Sequence, residues 1–73
     1  MAYYEITITC KDGNIKRGIR EDNIDNIDQY YQKICYKALH TLKDKLQSCE
    51  VVMLPKDCKK VQDYIKRARQ SRS

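Results

Sequence analysis

The sequence lacks tryptophan and phenylalanine, and it holds only one proline and two glycines in 73 residues. So little glycine and proline excludes collagen-like, low-complexity and loop-rich architectures. With no tryptophan or phenylalanine present, six tyrosines provide the aromatic rings for packing. Isoleucine, leucine and valine recur throughout, which is typical of a chain that folds around a core rather than of a disordered one. The length predicts one small domain, residues 1–73.

Long apolar runs are also missing. The longest, Val51–Leu54, has four residues, whereas a membrane-spanning helix needs about 20. The first eleven residues carry no basic lead followed by an apolar stretch, so no secretory signal is expected. We therefore expect no membrane contact and a cytoplasmic protein.

Catalytic groups are scarce. The single histidine, His40, is five residues from Cys35, which is about 140° around a helix, so the two form no local nucleophile–base pair. No phosphate-binding loop, dinucleotide fingerprint or zinc-binding helix motif is present. The sequence therefore predicts no catalytic residues and a protein that is not an enzyme.

Metal and cofactor sites are not expected either. The four cysteines, at positions 10, 35, 49 and 58, have no Cys-x-x-Cys spacing. We expect reduced thiols packed like small hydrophobic residues, with two disulfides or a zinc ion held from distant positions as open alternatives. The acidic run 21–28 contains no glycine turn, so it is expected to cap a helix rather than to bind a divalent cation.

Alternating residues predict a hairpin at the start of the chain. Residues 3–10 alternate apolar and polar side chains, as in a half-buried strand, and residues 14–20 form the return strand. Between them, Asp12 and Gly13 form a turn signal, because the tight turn requires a positive φ.

The expected register of this hairpin places one basic residue among isoleucines. A two-residue turn pairs Ile8 with Arg17, and it turns Ile15 and Ile19 towards the core. Arg17 would then extend to water from the margin of the sheet, lie beside a bulge at Gly18, or contact a partner.

Helical periodicity dominates the rest of the chain. An amphipathic helix is predicted over residues 25–47, with Asn26 in a capping position. A short buried strand, 49–54, and a second helix, 56–69, follow, and the tail 70–73 is expected to fray. The apolar arc of the first helix consists of Tyr31, Ile34, Cys35, Ala38, Leu39, Leu42 and Leu46.

The predicted fold class is α+β with element order β-β-α-β-α. A hairpin followed by a helical crossover places strand 3 beside strand 1, which gives a three-stranded antiparallel sheet of order 2-1-3. Both helices are expected on one face of this sheet. The other face, which includes Tyr3, would be open to water.

Positive charge is concentrated at the end of the chain. Residues 1–55 hold eight basic and eight acidic residues, whereas residues 56–73 hold seven basic and two acidic residues. A basic helix binds phosphates by releasing counterions, and a tyrosine among the cations can stack on a base. The alternative is a solvated helix face. The predicted nucleic-acid-binding residues are Lys59, Lys60, Tyr64, Lys66, Arg67 and Arg69.

A second candidate surface combines tyrosine with basic residues. Tyrosine is enriched at protein interfaces because its rigid ring carries a large contact area and a polar tip. Tyr36 is expected on the outer face of the first helix, near Lys33, Lys37 and His40. The predicted partner-binding residues are Tyr36, Lys33, Lys37, His40, Tyr3 and Arg17.

In size, element order and lack of catalytic groups, the chain resembles the small proteins of phages and mobile elements that include anti-CRISPR and other anti-defence inhibitors. That resemblance implies a compact α+β protein that occupies a partner's surface, in the host cytoplasm if a phage encodes it, and it carries over no residue roles. The first hypothesis is thus a non-enzymatic protein that blocks or modulates a protein or ribonucleoprotein partner. The alternatives are a small nucleic-acid-binding protein and a structural component that forms homodimers or larger oligomers through its sheet edges.

Overall fold

The computed structural model describes residues 1–70. The strands are β1 (Ala2–Cys10), β2 (Ile15–Asp22) and β3 (Leu46–Leu54), and the helices are α1 (Ile27–Leu42) and α2 (Lys59–Gln70). The strands form one antiparallel sheet of order β2-β1-β3. The predicted fold class and strand order are confirmed. Of the tail expected to fray, Gln70 ends α2 and 71–73 lie outside the described residues.

Helix α1 begins at Ile27, two residues after its predicted start, and it also ends earlier than predicted. The Asn26 side chain accepts hydrogen bonds from the backbone N–H groups of Asp28, at 2.9 Å, and Gln29, at 3.1 Å. The helix stops at Leu42 because Lys43 adopts a φ of 51°, and a short 3₁₀ turn leads into β3. The predicted extension to residue 47 is therefore wrong, because Leu46 starts β3. No glycine or proline marks this stop in the sequence. The predicted buried strand 49–54 is wrong as well, since β3 is three residues longer and none of its residues is fully buried.

Helix α2 also differs from its predicted span, since it begins at Lys59 rather than at residue 56. Residues 55–58 form a turn instead, in which the Cys58 N–H donates to the Pro55 carbonyl at 3.1 Å. The Gln62 side chain then donates to the Lys56 carbonyl at 2.8 Å and ties this turn to the helix.

The β1–β2 hairpin has a loop of three residues rather than two. The Gly13 N–H donates to the Cys10 carbonyl at 3.0 Å, and the Cys10 N–H donates to the Asn14 carbonyl at 2.8 Å. Gly13 has a φ of +92°, which glycine adopts at little cost. Thr9 therefore pairs with Ile15, one residue away from the expected register. Since side chains alternate between faces, this shift moves every β2 side chain to the opposite face.

The register corrects the predicted positions of Ile15, Ile19 and Arg17. All three lie on the face of β1 that carries Glu5 and Thr7, not on the face of Ile6 and Ile8. The Arg17 Nε donates to the Thr7 hydroxyl at 3.3 Å. Arg17 is therefore not a core-face residue, and the strand pairing continues through Gly18 without a bulge.

Helix α1 covers the face formed by the even-numbered residues of β1. The rings of Tyr4 and Tyr30 stack with centroids 3.8 Å apart and planes 10° from parallel. Both side chains are buried, and the Tyr4 hydroxyl donates to the Ile24 carbonyl in the loop before α1. The aromatic pair thus joins the centre of the sheet, the helix and the loop between them.

The side of α1 that faces the sheet differs from the predicted arc. Tyr30 is buried, whereas Tyr31 is 42% exposed and Leu39 is 57% exposed, although both were expected in the core. The helix is rotated about its axis so that Tyr30, and not Tyr31, meets Tyr4. This rotation leaves apolar side chains at the surface of the helix.

Helix α2 packs on the opposite face of the sheet. The Tyr64 ring meets the Tyr3 ring edge-on with centroids 6.2 Å apart, and Lys60 pairs with Glu5 at 3.1 Å. Since neighbouring residues of a strand point to opposite faces, contacts with Tyr3 and Glu5 place α2 away from Tyr4 and α1. The expectation that both helices share one face is wrong, and so is the expectation of an open face around Tyr3. The shifted register explains this because it puts Ile19 on the α2 face.

Within residues 1–70, the helices are too short and too polar to cross a membrane.

Candidate binding surfaces

A cleft of about 860 Å³ opens between α1 and β2, and we call it the α1–β2 cleft. Helix α1 contacts β3, which leaves the β2 side of the same face uncovered. On this face β2 offers Gly18 flanked by Lys16 and Arg20, so no apolar β2 side chain fills the space. The cleft therefore arises directly from the hairpin register.

The α1–β2 cleft has an apolar floor and a basic rim. The apolar floor consists of Ile6, Ile8, Ile34, Ala38 and Leu42. The cations on the same face are Lys16, Arg20, Lys33 and Lys37. Two carboxylates, Glu21 and Asp22, also contribute. An apolar surface ringed mainly by cations suits a ligand that carries both apolar and acidic groups.

One end of this cleft is closed by an ion pair. The Lys33 Nζ lies 2.6 Å from the Asp22 carboxylate and 5.9 Å from the centroid of the Tyr30 ring. The hydrogen bond from Lys33, assisted by the Ile24 backbone N–H, lowers the pKa of Asp22 below its usual value. The same hydrogen bond raises the pKa of Lys33. Both groups are therefore charged at neutral pH, and they connect α1 to the end of β2.

A second cleft, of about 390 Å³, lies between α2 and β2, and we call it the α2–β2 cleft. Its cations are Arg17, Arg20, Lys60 and Arg67, and its acidic groups are Glu5 and Asp63. Glu5 is already paired with Lys60, whose Nζ lies 3.1 and 3.5 Å from the two carboxylate oxygens. This cleft is polar, and its balance of charge is positive.

The predicted nucleic-acid-binding residues divide into two groups. Lys60, Tyr64 and Arg67 line the α2–β2 cleft, whereas Lys59, Lys66 and Arg69 do not line either cleft. Arg17, which was predicted to contact a protein partner, belongs to the same cleft. The Tyr64 ring is half-buried against Tyr3, so only part of it is open to a base.

The predicted partner-binding residues do not form one surface. Tyr36 is 66% exposed on the outer face of α1, and its hydroxyl shares a hydrogen bond of 3.1 Å with the His40 Nε2. Lys33 and Lys37 lie on the flank of α1 that lines the α1–β2 cleft. Tyr3 is half-buried and packs against α2, so the structure does not join it to the α1 surface.

The four cysteines are free thiols. Burial, followed by the nearby Cys35 thiol, raises the pKa of Cys49 to about 11. Cys49 is therefore protonated and unreactive at neutral pH. Among residues 1–70, no three His, Cys, Asp or Glu side chains are grouped closely enough to hold a metal ion.

Taken together, the two clefts surround β2 with cations from three elements, and we call this surface the basic side. Its members are Lys16, Arg17, Arg20, Lys33, Lys37, Lys60 and Arg67. Sequence reasoning missed Lys16 and Arg20, because the positive charge of residues 1–55 is cancelled by acidic residues when it is counted along the chain. No family model, curated protein or solved structure matches this chain.

Proposed function

We propose that the chain is a non-enzymatic binding protein that attaches to an acidic protein or ribonucleoprotein surface and thereby blocks or modulates it. The observation that carries this proposal is the α1–β2 cleft, in which an apolar floor is ringed by lysine and arginine. Its occupant is a segment of the partner that presents apolar side chains flanked by aspartate or glutamate.

Each part of the cleft has a distinct role in this binding. A partner leucine or isoleucine that enters the cleft removes apolar surface from water together with Ile6 and Ile8, which contributes about 1.5–3 kcal/mol per side chain. Rim cations such as Lys16 and Lys37 attract an acidic partner and fix its orientation, and they contribute more to association rate and specificity than to affinity.

We place this activity in the cytoplasm. The structure holds four free thiols and no disulfide among them. Free thiols of this kind persist in reducing compartments. The proposed mode of action is stoichiometric, because a protein that works by covering a surface does so one molecule per partner.

The sharpest test fills the floor of the α1–β2 cleft without changing any charge. A Cβ atom added at Gly18 meets only the Arg20 Nη1 within 4 Å, at an ordinary contact distance of 3.5 Å. Glycine also weakens a strand, so the variant Gly18→Leu is expected to fold. Lys37→Glu reverses a charge on the rim. Lys45→Glu makes the same change in net charge outside both clefts and serves as the matched control.

Immobilised wild type and the three variants are compared for the proteins that they retain from a cytoplasmic extract at physiological salt. We expect a partner that binds to wild type and Lys45→Glu in near-equimolar amount, that is lost with Gly18→Leu, and that binds more weakly to Lys37→Glu. Circular dichroism checks that each variant is folded. Equal retention by a folded Gly18→Leu variant would exclude the α1–β2 cleft as the binding site.

The second candidate function is nucleic-acid binding, and the α2–β2 cleft favours it. Four cations from two separate elements meet there, and phosphates are bound by such clusters. In this candidate, Arg17 and Arg67 contact phosphates from opposite walls of the cleft. Lys60 contributes less, because Glu5 already neutralises part of its charge.

Fluorescence anisotropy with labelled single- and double-stranded DNA and RNA tests this candidate at low and physiological salt. The double variant Arg17→Gln/Arg67→Gln removes two cations from the cleft, and Lys59→Gln/Lys66→Gln removes two cations of α2 that line neither cleft. We expect the first pair to reduce the salt slope by about 2 and the second pair to change it little. Equal losses from the two double variants would show diffuse attraction rather than a site, and no binding at physiological salt would reject the function.

A further inference from the structure

The two edges of the sheet are protected very differently. β2 carries five charged residues among eight, whereas β3 carries one, Glu50, among nine. Proteins usually protect exposed edges with charged residues, proline or bulges, since an edge displays unpaired backbone N–H and C=O groups. β3 contains no proline, and its only irregularity, opposite Thr9 and Cys10, leaves 48–54 in regular pairing. Within residues 1–70, no other strand pairs with the outer side of β3.

An exposed apolar flank lies beside this unprotected edge. The flank of α1 that carries Lys33 and Lys37 lines the α1–β2 cleft, so the opposite flank, with Cys35 and Leu39, is directed towards β3. Tyr31 lies near Cys49 and Glu50 of β3. Tyr31 and Leu39 are exposed on the helix, and Val52 and Met53 are exposed on the strand. Exposed apolar side chains therefore lie beside this edge on both the helix α1 and the strand β3.

We infer that a second copy of this chain pairs with β3, antiparallel to it, and forms a dimer with a continuous six-stranded sheet. The two-fold axis of such a pair is perpendicular to the sheet, so each face continues into the same face of the other copy. The two α1 helices then meet on one side, and Tyr31 and Leu39 of each copy lie at their junction. This surface is separate from both clefts, so the inference is independent of the proposed function.

A second copy is chosen as the occupant because the edge is complementary to itself. A register centred on Glu50 would place two carboxylates opposite each other, which is unfavourable. A register centred on Val51 places Glu50 opposite Val52 of the second copy and avoids that repulsion. The apolar flank of α1 needs an apolar counterpart at the same height above the sheet, and the two-fold axis supplies one.

The size of the contact predicts a moderate affinity. Seven regular residues extend for about 24 Å, and a strand with a helix above it is about 20 Å deep. The contact thus covers on the order of 500 Å² per copy, or about 1,000 Å² in total, which is the lower limit for specific interfaces. We therefore expect a dissociation constant in the micromolar range.

Sedimentation equilibrium of the full chain, with reductant present, tests the inference from about 1 µM to about 1 mM. We expect the mass to rise from 8.7 kDa towards twice that value with increasing concentration. Leu39→Lys and Val52→Lys, which replace exposed apolar residues at the proposed contact, should each weaken the dimer at least tenfold. Ile15→Lys is the matched control, because Ile15 is equally exposed at the β2 side of the sheet.

Hydrogen exchange in wild type at low and high concentration locates the contact independently of any variant. We expect exchange of β3 amides to slow as the dimer forms, while β2 amides stay unchanged. A monomer at every concentration would overturn the inference, and so would a dimer that Ile15→Lys weakens as much as Leu39→Lys. A dimer whose protection appears on β2 instead of β3 would overturn it too.

Discussion

Replacing Tyr4 by phenylalanine removes one hydroxyl from the fully buried centre of the fold and leaves the stacked ring in place. The lost group is the donor to the Ile24 carbonyl, which is part-buried. A typical intramolecular hydrogen bond contributes about 1 kcal/mol, and an acceptor left unpaired adds to the loss. We therefore expect the free energy of unfolding to fall by about 1–2 kcal/mol.

That loss translates into a large thermal shift because the chain is short. An unfolding entropy of about 2.1 cal/mol/K per residue gives about 0.15 kcal/mol/K for this chain, so the Tm should fall by roughly 7–13 °C. Thermal and urea unfolding followed by circular dichroism measure both quantities, and coincident transitions at two wavelengths check two-state behaviour.

Tyr30→Phe is the matched control for this experiment. It removes the same atom from the other ring of the stacked pair, whose hydroxyl has no hydrogen-bond partner in the described part of the chain. We expect Tyr30→Phe to change stability by less than about 0.5 kcal/mol. Equal losses in the two variants, or no loss in Tyr4→Phe, would refute the role given to the Tyr4–Ile24 hydrogen bond.

The remaining predictions concern alkaline pH, helix capping and thiol reactivity. Burial, with Asp25 and Asp22 nearby, raises the pKa of Tyr4 above 10.0. The stability that Tyr4 contributes in its protonated form is therefore complete below pH 10 and is lost as pH rises above that value. Urea titrations at increasing pH should show this loss in wild type and a smaller loss in Tyr4→Phe. Asn26→Ala removes the side-chain cap of α1 and should cost about 1 kcal/mol in the same assay, whereas an unchanged midpoint would contradict the capping role. Cys49, with a pKa of about 11, should be alkylated slowly by iodoacetamide at neutral pH and faster after unfolding in urea; rapid labelling of the folded protein would contradict its burial.

The sequence predicted the elements of this fold well because their signals are local. Alternation marked β1, Asn26 marked the start of α1, and the spacing of Val61 marked the buried stripe of α2. The strand order followed from the connections, since a hairpin and one crossover leave few arrangements. These inferences depend on neighbouring residues, which the sequence shows directly.

The errors arose where a shift of one residue in a loop or a helix changes which side chains face the core elsewhere in the fold. Asp12-Gly13 correctly indicated a turn, but the signal does not distinguish a loop of two residues from one of three, and that difference reverses the faces of β2. With Ile19 on the wrong face, α2 was placed on the wrong side of the sheet. Tyr30 and Tyr31 are adjacent, so a rotation of α1 by one residue decides which one is buried.

The candidate sites were predicted only in part. Lys60, Tyr64 and Arg67 were identified from the basic helix, and Lys37 from the outer face of α1. The clefts themselves could not be predicted. The α1–β2 cleft exists because the strand register places Gly18, which has no side chain, on the part of the sheet that α1 leaves uncovered. Exposed apolar residues such as Leu39 were also missed, because periodicity assigned them to the core.

The central position of the first strand has a consequence for how the chain folds during synthesis. β1 pairs locally with β2, but its other edge waits for β3, and Tyr3 pairs with Leu54, 51 residues later. At about 5–20 residues per second, the ribosome needs roughly 2–6 s to add residues 23–54. Until α1 and β3 have joined the sheet, a hairpin of β1 and β2 displays Ile6 and Ile8 without a helix above them. The first part of the chain to pair is therefore also the part that depends most on residues added later.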